Sequence, residues 1–434
     1  MNNATSPSQT GDAAPAVGSR WKILLLLMAL CFISHLNRIS MAMAGDSRIM
    51  KQYGLSPEQM GWIYSSFLLV YTICMVPGGL FIDRFGARTA LIVVGVGSAF
   101  FGFLTGVVGW LVPSGFVLVA LMLVRGTMGF FTTPLHPGCA RAVGLWMPVS
   151  AQSLTNGWVT GAALLGIAST YWIFGRLIDA FDWPGAFATT AAVTMLIALA
   201  WGVVSRQAQV NPRAAALESS RAARAARVDW SVLLRNRRLL LLTLSYAAVS
   251  YFQYLFFYWM HYYFSDVLKL GKATSEFYAA IPPLAMAIGM PAGGWLSDLL
   301  DRRTKTGLGR GWVPLVGMIA GGLLVLGGVM TRDPVWSVTW FSLALGVVGT
   351  CEGTFWSTAI DLGRGQGGTA AAIVNTGGNA GGFLAPILTP WISRTIHWEA
   401  GIGLGGVICL LGALCWLGIG STNQDETSGE ERSP

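Results

Sequence analysis

The sequence predicts an all-α polytopic membrane protein with twelve transmembrane helices in two six-helix bundles. Three observations carry this. Hydrophobic residues make up 53% of the 434-residue chain and charged residues only 11%, against about 25% charged in an ordinary soluble domain. Twelve apolar runs each approach the ~20 residues that a bilayer span needs. The segment Gly78-Gly79-Leu80-Phe81-Ile82-Asp83, behind Pro77, returns about half a chain later as Gly293-Gly294-Trp295-Leu296-Ser297-Asp298, behind Pro291. That recurrence marks two similar halves.

In chain order, residues 1–21 form a polar tail without the charged-then-apolar pattern of a cleaved signal peptide, so the first apolar run stays as a helix. Residues 22–205 hold the first bundle, with helices expected at 22–43, 58–81, 89–112, 115–135, 152–174 and 185–205. Residues 206–238 form a linker with a short surface helix. Residues 239–419 hold the second bundle, with helices at 239–264, 275–299, 312–331, 336–360, 369–393 and 399–419. Residues 420–434 form a polar tail expected to be disordered. The 55 glycines suit helices packed closely in lipid, and the 18 tryptophans suit anchoring at the two interfaces.

Loop charge sets the orientation. Arg84, Arg88, Arg141, the eight arginines of the linker, Arg302, Arg303, Lys305, Arg310 and Arg364 share one side. The positive-inside bias puts that side and both termini in the cytoplasm, as expected for a bacterial inner membrane. The net charge of +8 sits in these loops, so it belongs to the membrane surface, and nucleic acid is not an expected partner. The six cysteines form no CxxC pair and predict neither a disulfide framework nor a metal site.

Gly79, Asp83, Arg84, Gly86 and Arg88 match the loop 2–3 signature of the major facilitator superfamily, with a degenerate second copy at Gly294, Asp298, Arg302 and Arg303. Over roughly residues 20–420 the chain resembles that superfamily. Within it, the chain is most similar to the anion:cation symporter group, which carries sugar acids and other organic carboxylates. Four segments carry this second likeness: Ser34 to Ser40, Ser65 to Tyr71, Arg125-Gly126 through Pro134-Leu135-His136-Pro137, and Asn375 to Gly382. The resemblance implies a central cavity between bundles that rock against each other. It also implies a gate at Asp83, Arg84, Arg88, Asp298 and Arg302, where Asp83 would meet a helix end across the bundle interface.

An arginine at mid-membrane costs about 2.5–3.5 kcal/mol on insertion scales, so it needs a watery cavity or a partner. Arg38, in the first helix, and Arg125, in the fourth, meet that description. A guanidinium binds carboxylate or phosphate through two donors, and the resembled group places substrate- or gate-facing arginines at both positions. Tyr71 falls where the group has a substrate-facing tyrosine. Asn375 and Asn379 share a helix face. Tyr254, Tyr258 and His261 form one stripe on the seventh helix, and Trp356 supplies an apolar wall. Packing is the competing use of each.

Proton-coupled members carry an acid before the first-helix arginine and a glutamate in the fourth helix. Here Asn37 and Thr132 stand there, and neither titrates. The substitute expected is Glu352, with His35 or His136 assisting; its competing role is a fixed pair with Arg38 or Arg125. The function expected is therefore secondary active transport of a small organic anion by a monomer, with H⁺ or Na⁺ as coupling ion and no cofactor. Organophosphate/phosphate antiport, passage or export of a neutral sugar or drug, and a non-transporting membrane sensor remain alternatives. No nucleophile–base constellation or phosphate-cradling loop points to an enzyme.

Overall fold

The computed structural model describes residues 17–207, 230–303, 309–363 and 366–420, and every regular element among them is helical. Residues 1–16 and 421–434 of the polar tails and most of the linker lie outside the described residues, so the linker's expected surface helix is described only as Trp230–Arg235, while residues 17–21, expected in the N-terminal tail, already belong to the first helix. Helix α1 spans Val17–Ala44, α2 Pro57–Ile73, α3 Met75–Leu111, α4 Val117–Thr132, α5 Leu135–Trp146 and α6 Val149–Gln207. In the second half, α7 spans Arg237–Tyr262, α8 Lys272–Arg303, α9 Trp312–Met330, α10 Pro334–Gly349, α11 Glu352–Leu362, α12 Gly367–Thr395 and α13 Trp398–Ile419.

Twelve crossings result, though the helices do not end where the apolar runs do. The turn expected between the second and third crossings shrinks to Gly86, at φ 78° and ψ 163°, a backbone that needs glycine. Asp182 makes the reversal inside α6 at φ 56°; its side chain accepts from the N–H of Trp183 at 2.8 Å, and Pro184 follows. Three crossings are broken instead. The second breaks at Cys74, ahead of Pro77, and the fourth at Thr133-Pro134, because proline removes a helical N–H and clashes one turn back. The tenth tightens at Thr350 and Cys351, whose N–H groups bond three residues back, to Val347 and Val348, at 3.1 and 3.0 Å. This puts Glu352 in the first turn of α11.

In the first half, α1 and α3 pack on α6; in the second, α7 packs on α12 and α13. Close approach is what the glycines supply: a Cβ on Gly381 would run into the Ala247 carbonyl of α7. The halves meet along α2 with α12, α6 with α8, and α1 with α7. At equivalent places α1 and α7 each run on through a π-helical turn, Gly45–Ile49 and Tyr263–Val267, carrying Asp46 and Asp266. Large apolar side chains such as Leu111, Leu123 and Leu196 face outward, as a lipid-facing surface requires.

Charge separates the two ends. The ion pairs Lys51–Asp266 (3.3 Å), Arg394–Glu58 (3.3 Å) and Lys272–Asp179 bridge the halves, and His261 approaches Asp46 at 3.4 Å, all at the end opposite Asp83. At the Asp83 end, Arg141–Asp83 (3.0 Å) stays within the first half and Arg310–Asp361 within the second.

Candidate functional site

Arg38 sits on α1 with its guanidinium against rings from both halves. Its carbon lies 4.9 Å from the Phe67 ring centre, 5.3 Å from Tyr71 and 4.9 Å from Tyr254. The side chain is only 8% exposed, yet its Nε and Nη2 have no hydrogen-bond partner among the described residues. Burying a charged donor without a partner is costly, and the three aromatic faces offset part of that cost.

Arg125, expected to serve beside Arg38, turns its guanidinium to the main chain of α1 in this state. Its Nη2 donates to the main-chain carbonyls of Asn37 and Arg38 at 3.1 and 3.0 Å, and its Nη1 points to Met128 Sδ at 3.4 Å. The second arginine thus fixes the α1 backbone that carries the first. Its carbonyl partners lie within one turn of Arg38, a relationship that no spacing between helices one and four reveals.

The positions where acids were missed are filled by neutral hydrogen bonds. Asn37 Nδ2 donates to Thr194 Oγ1 at 2.8 Å, and Thr132 Oγ1 donates to the Met128 carbonyl at 2.7 Å. Glu352 pairs with neither arginine. It accepts from Gln253 Nε2 at 2.5 Å and Tyr246 Oη at 3.2 Å, all within the second half; the tyrosine and glutamine lie on α7 and were not singled out in the sequence. Trp356 packs edge-on to Tyr246, ring centres 5.4 Å apart. His35 and His136 meet at 3.3 Å between Nε2 atoms, and His35 Nδ1 lies 2.9 Å from the Cys31 carbonyl. With Nδ1 as donor to that carbonyl, His35 Nε2 accepts from His136. The histidines pair with each other, away from Glu352.

Asn379 Nδ2 donates to the Asn375 carbonyl at 2.9 Å and approaches Met75 Sδ of the first half at 3.5 Å. The α7 stripe turns wholly toward the first half. Tyr254 lies on Arg38, Tyr258 stacks on Tyr64 at 5.0 Å, and His261 meets Asp46. Tyr64 and Asp46 belong to none of the motifs in the sequence.

Of the gate residues, Asp83 pairs in this state with Arg141 of its own half. Arg84 lies 5.4 Å over the Phe85 ring. Arg88 donates to Ser205 Oγ at 3.2 Å and the Gly202 carbonyl at 3.0 Å, closing the end of α6. The side chains of Asp298 and Arg302 lie outside the described residues. Among the described residues no group of three or more His, Cys, Asp or Glu is placed to hold a metal.

Two helical halves, a buried guanidinium with unused donors where they meet, and ion pairs that clamp one end define a multi-pass membrane transporter and not an enzyme. The model of the Major Facilitator Superfamily matches residues 27–364, and the chain belongs to that family. It is 27% identical to a probable sulfoacetate transporter of Cupriavidus necator, over 96% of this chain and 98% of that one. It is 24% identical to a D-galactonate transporter of Escherichia coli, over 94% and 96%. Among solved structures it is similar to a bacterial homologue of the human lysosomal transporter Spinster. The TM-score is 0.75, at 15% identity, covering 92% of this chain and 97% of that one.

Proposed function

We propose that this protein carries a small organic anion, a carboxylate or sulfonate, through a cell membrane by alternating access, coupled to H⁺ or Na⁺. One observation carries the reading: Arg38 is buried between the halves with Nε and Nη2 unpartnered. Two parallel N–H donors match the two oxygens of a carboxylate or sulfonate, and rings from both halves let bound anion draw the halves together. The names of the two relatives, sulfoacetate and D-galactonate, are both organic anions, which supports the class. Glu352, the buried second-half carboxylate, is assigned to the coupling cation. The chain acts as a monomer in a bacterial inner membrane with both termini cytoplasmic.

The test is uptake into proteoliposomes of labelled D-galactonate and sulfoacetate, with glycerol 3-phosphate and glucose alongside, under imposed pH or Na⁺ gradients. Either organic acid should accumulate, and Arg38→Ala should abolish it. Glu352→Gln should leave exchange intact and remove the dependence on the gradient. Glucose transport that survives Arg38→Ala would overturn the anion reading.

A further inference from the structure

We infer that Asp46 and His261 form a proton-operated latch: a proton taken up by His261 completes an ion pair with Asp46 that holds the two halves closed at the end opposite Asp83. The inference rests on the alternating-access reading above but not on the identity of the substrate, nor on Glu352. Asp46 is fully buried and His261 only 4% exposed. They belong to different halves and approach to 3.4 Å between Nδ1 and Oδ2, so the pair exists only while this end is shut. A buried carboxylate and a histidine in contact are stable together when they hold one proton between them. Loss of that proton leaves an unbalanced buried charge.

The charged neighbours have partners of their own, although Asp266 is near enough to act on Asp46, and His261 on Glu276. From α2, Tyr64 places its hydroxyl 3.3 Å from Asp46 Oδ1. From α6, the Tyr171 ring stacks on His261 at 6.0 Å, while its hydroxyl donates to the Phe257 carbonyl at 3.2 Å. Asp46 and His261 also border a cavity of about 290 Å³ at this end, where Arg48, Lys51, Asp179, Asp266 and Lys272 form the remaining charged wall. Those charges are matched outside the pair: Lys51 with Asp266, Lys272 with Asp179 and with Glu276 of α8, and Arg48 with Asp182. The cavity gives a proton a route to His261 from one side of the membrane.

The latch also connects to the candidate anion site. Tyr64 stacks on Tyr258 at 5.0 Å, Tyr258 on Tyr254 at 6.0 Å, and Tyr254 lies over Arg38. Ring contacts therefore run without a break from the Arg38 guanidinium to the carboxylate of the latch. The proton enters from the cavity to close this end and returns to the same cavity when the pair separates, so the latch adds no net proton to the cycle and coupling stays with Glu352. The pair, then split into a carboxylate and a neutral imidazole, no longer holds the halves.

The experiment places spin labels on Gly115→Cys and Gly271→Cys, one in each half at this end, where an added Cβ meets nothing. Cys74 and Cys415, the two cysteines that are not buried, are replaced by serine. Distances are read in lipid nanodiscs without ligand from about pH 5 to about pH 9, the range in which histidine titrates. The longer, open distance should gain population as pH rises. Asp46→Asn and His261→Gln should each flatten that response. Should a single variant fail to fold, the double variant, which leaves no charge at the pair, must show the same flat profile. A pH response that persists in these variants, or a parent protein without one, overturns the latch.

Discussion

Arg125 donates to the main-chain carbonyl of Arg38 at 3.0 Å, so one buried arginine is the mounting of the other. The two should therefore fail differently. Arg125→Ala removes bonds from a charged donor to two carbonyls, each worth ~1.5–3 kcal/mol, and should lower Tm in detergent by several degrees along with uptake. Arg38→Ala removes a side chain whose Nε and Nη2 have no partner, and should hold or raise Tm while abolishing the thermal shift caused by D-galactonate or sulfoacetate. Equal loss of Tm in both variants would contradict this division.

The Tyr254 ring, 4.9 Å from the Arg38 guanidinium, is the contact that the second half makes with the charge. Tyr254→Leu removes a cation–π contact worth up to about 2 kcal/mol when desolvated. KM for anion uptake should rise by roughly 5–30-fold. Tyr254→Phe keeps the ring face and should stay within about threefold of the parent on the same scale. Comparable KM values for Phe and Leu would assign the role to the hydroxyl.

Gly61 of α2 abuts the Pro386 carbonyl of α12, where a Cβ would collide with main chain. One turn on, Ser65 Oγ donates to the Phe383 carbonyl at 2.8 Å. This is backbone-to-backbone closure between halves, and it can form only in the state with this end shut. Overpacking costs about 1–3 kcal/mol. Gly61→Val should thus shift the population away from that state by about 5–150-fold, seen as more of the longer distance between labels on Gly115→Cys and Gly271→Cys and as slower uptake. An unchanged distance distribution would mean that α2 and α12 give way without parting the halves.

The fold was legible because its causes are local. Apolar run length, the repeated Gly-Gly-x-x-x-Asp segment and loop charge are each read from one stretch of chain, whereas the breaks at Cys74 and Thr133, inside helices expected to run on, follow from Pro77 and Pro134. Arg38 was legible for the same reason: a charge at mid-membrane must be explained wherever it occurs. The partners were not. Whether the Arg125 fork turns to ligand or to α1 carbonyls depends on how two helices are rotated about their axes, which composition does not set. Asp46 and His261 are brought together only by the contact of the two halves, so the α7 stripe points to His261 but not to its partner. The one available hint was that α1 and α7 both carry an aspartate close to their ends, Asp46 and Asp266.

Asp83 pairs with Arg141 at 3.0 Å, but its side chain is 52% exposed. An exposed pair contributes about 0–1 kcal/mol. Asp83→Asn should accordingly move Tm by no more than a few degrees. Any larger effect on transport must come from the other state, in which the halves meet at this end and Asp83 can face a partner across the interface. Uptake reduced about tenfold or more at nearly unchanged Tm would place Asp83 in the gate, since tenfold corresponds to ~1.4 kcal/mol, beyond what the pair with Arg141 supplies. Arg141→Gln separates the two uses: it removes the partner seen in this structure and keeps the carboxylate. If Asp83 works across the interface, Arg141→Gln should transport better than Asp83→Asn. Equal impairment would show that the pair within the first half is what transport needs.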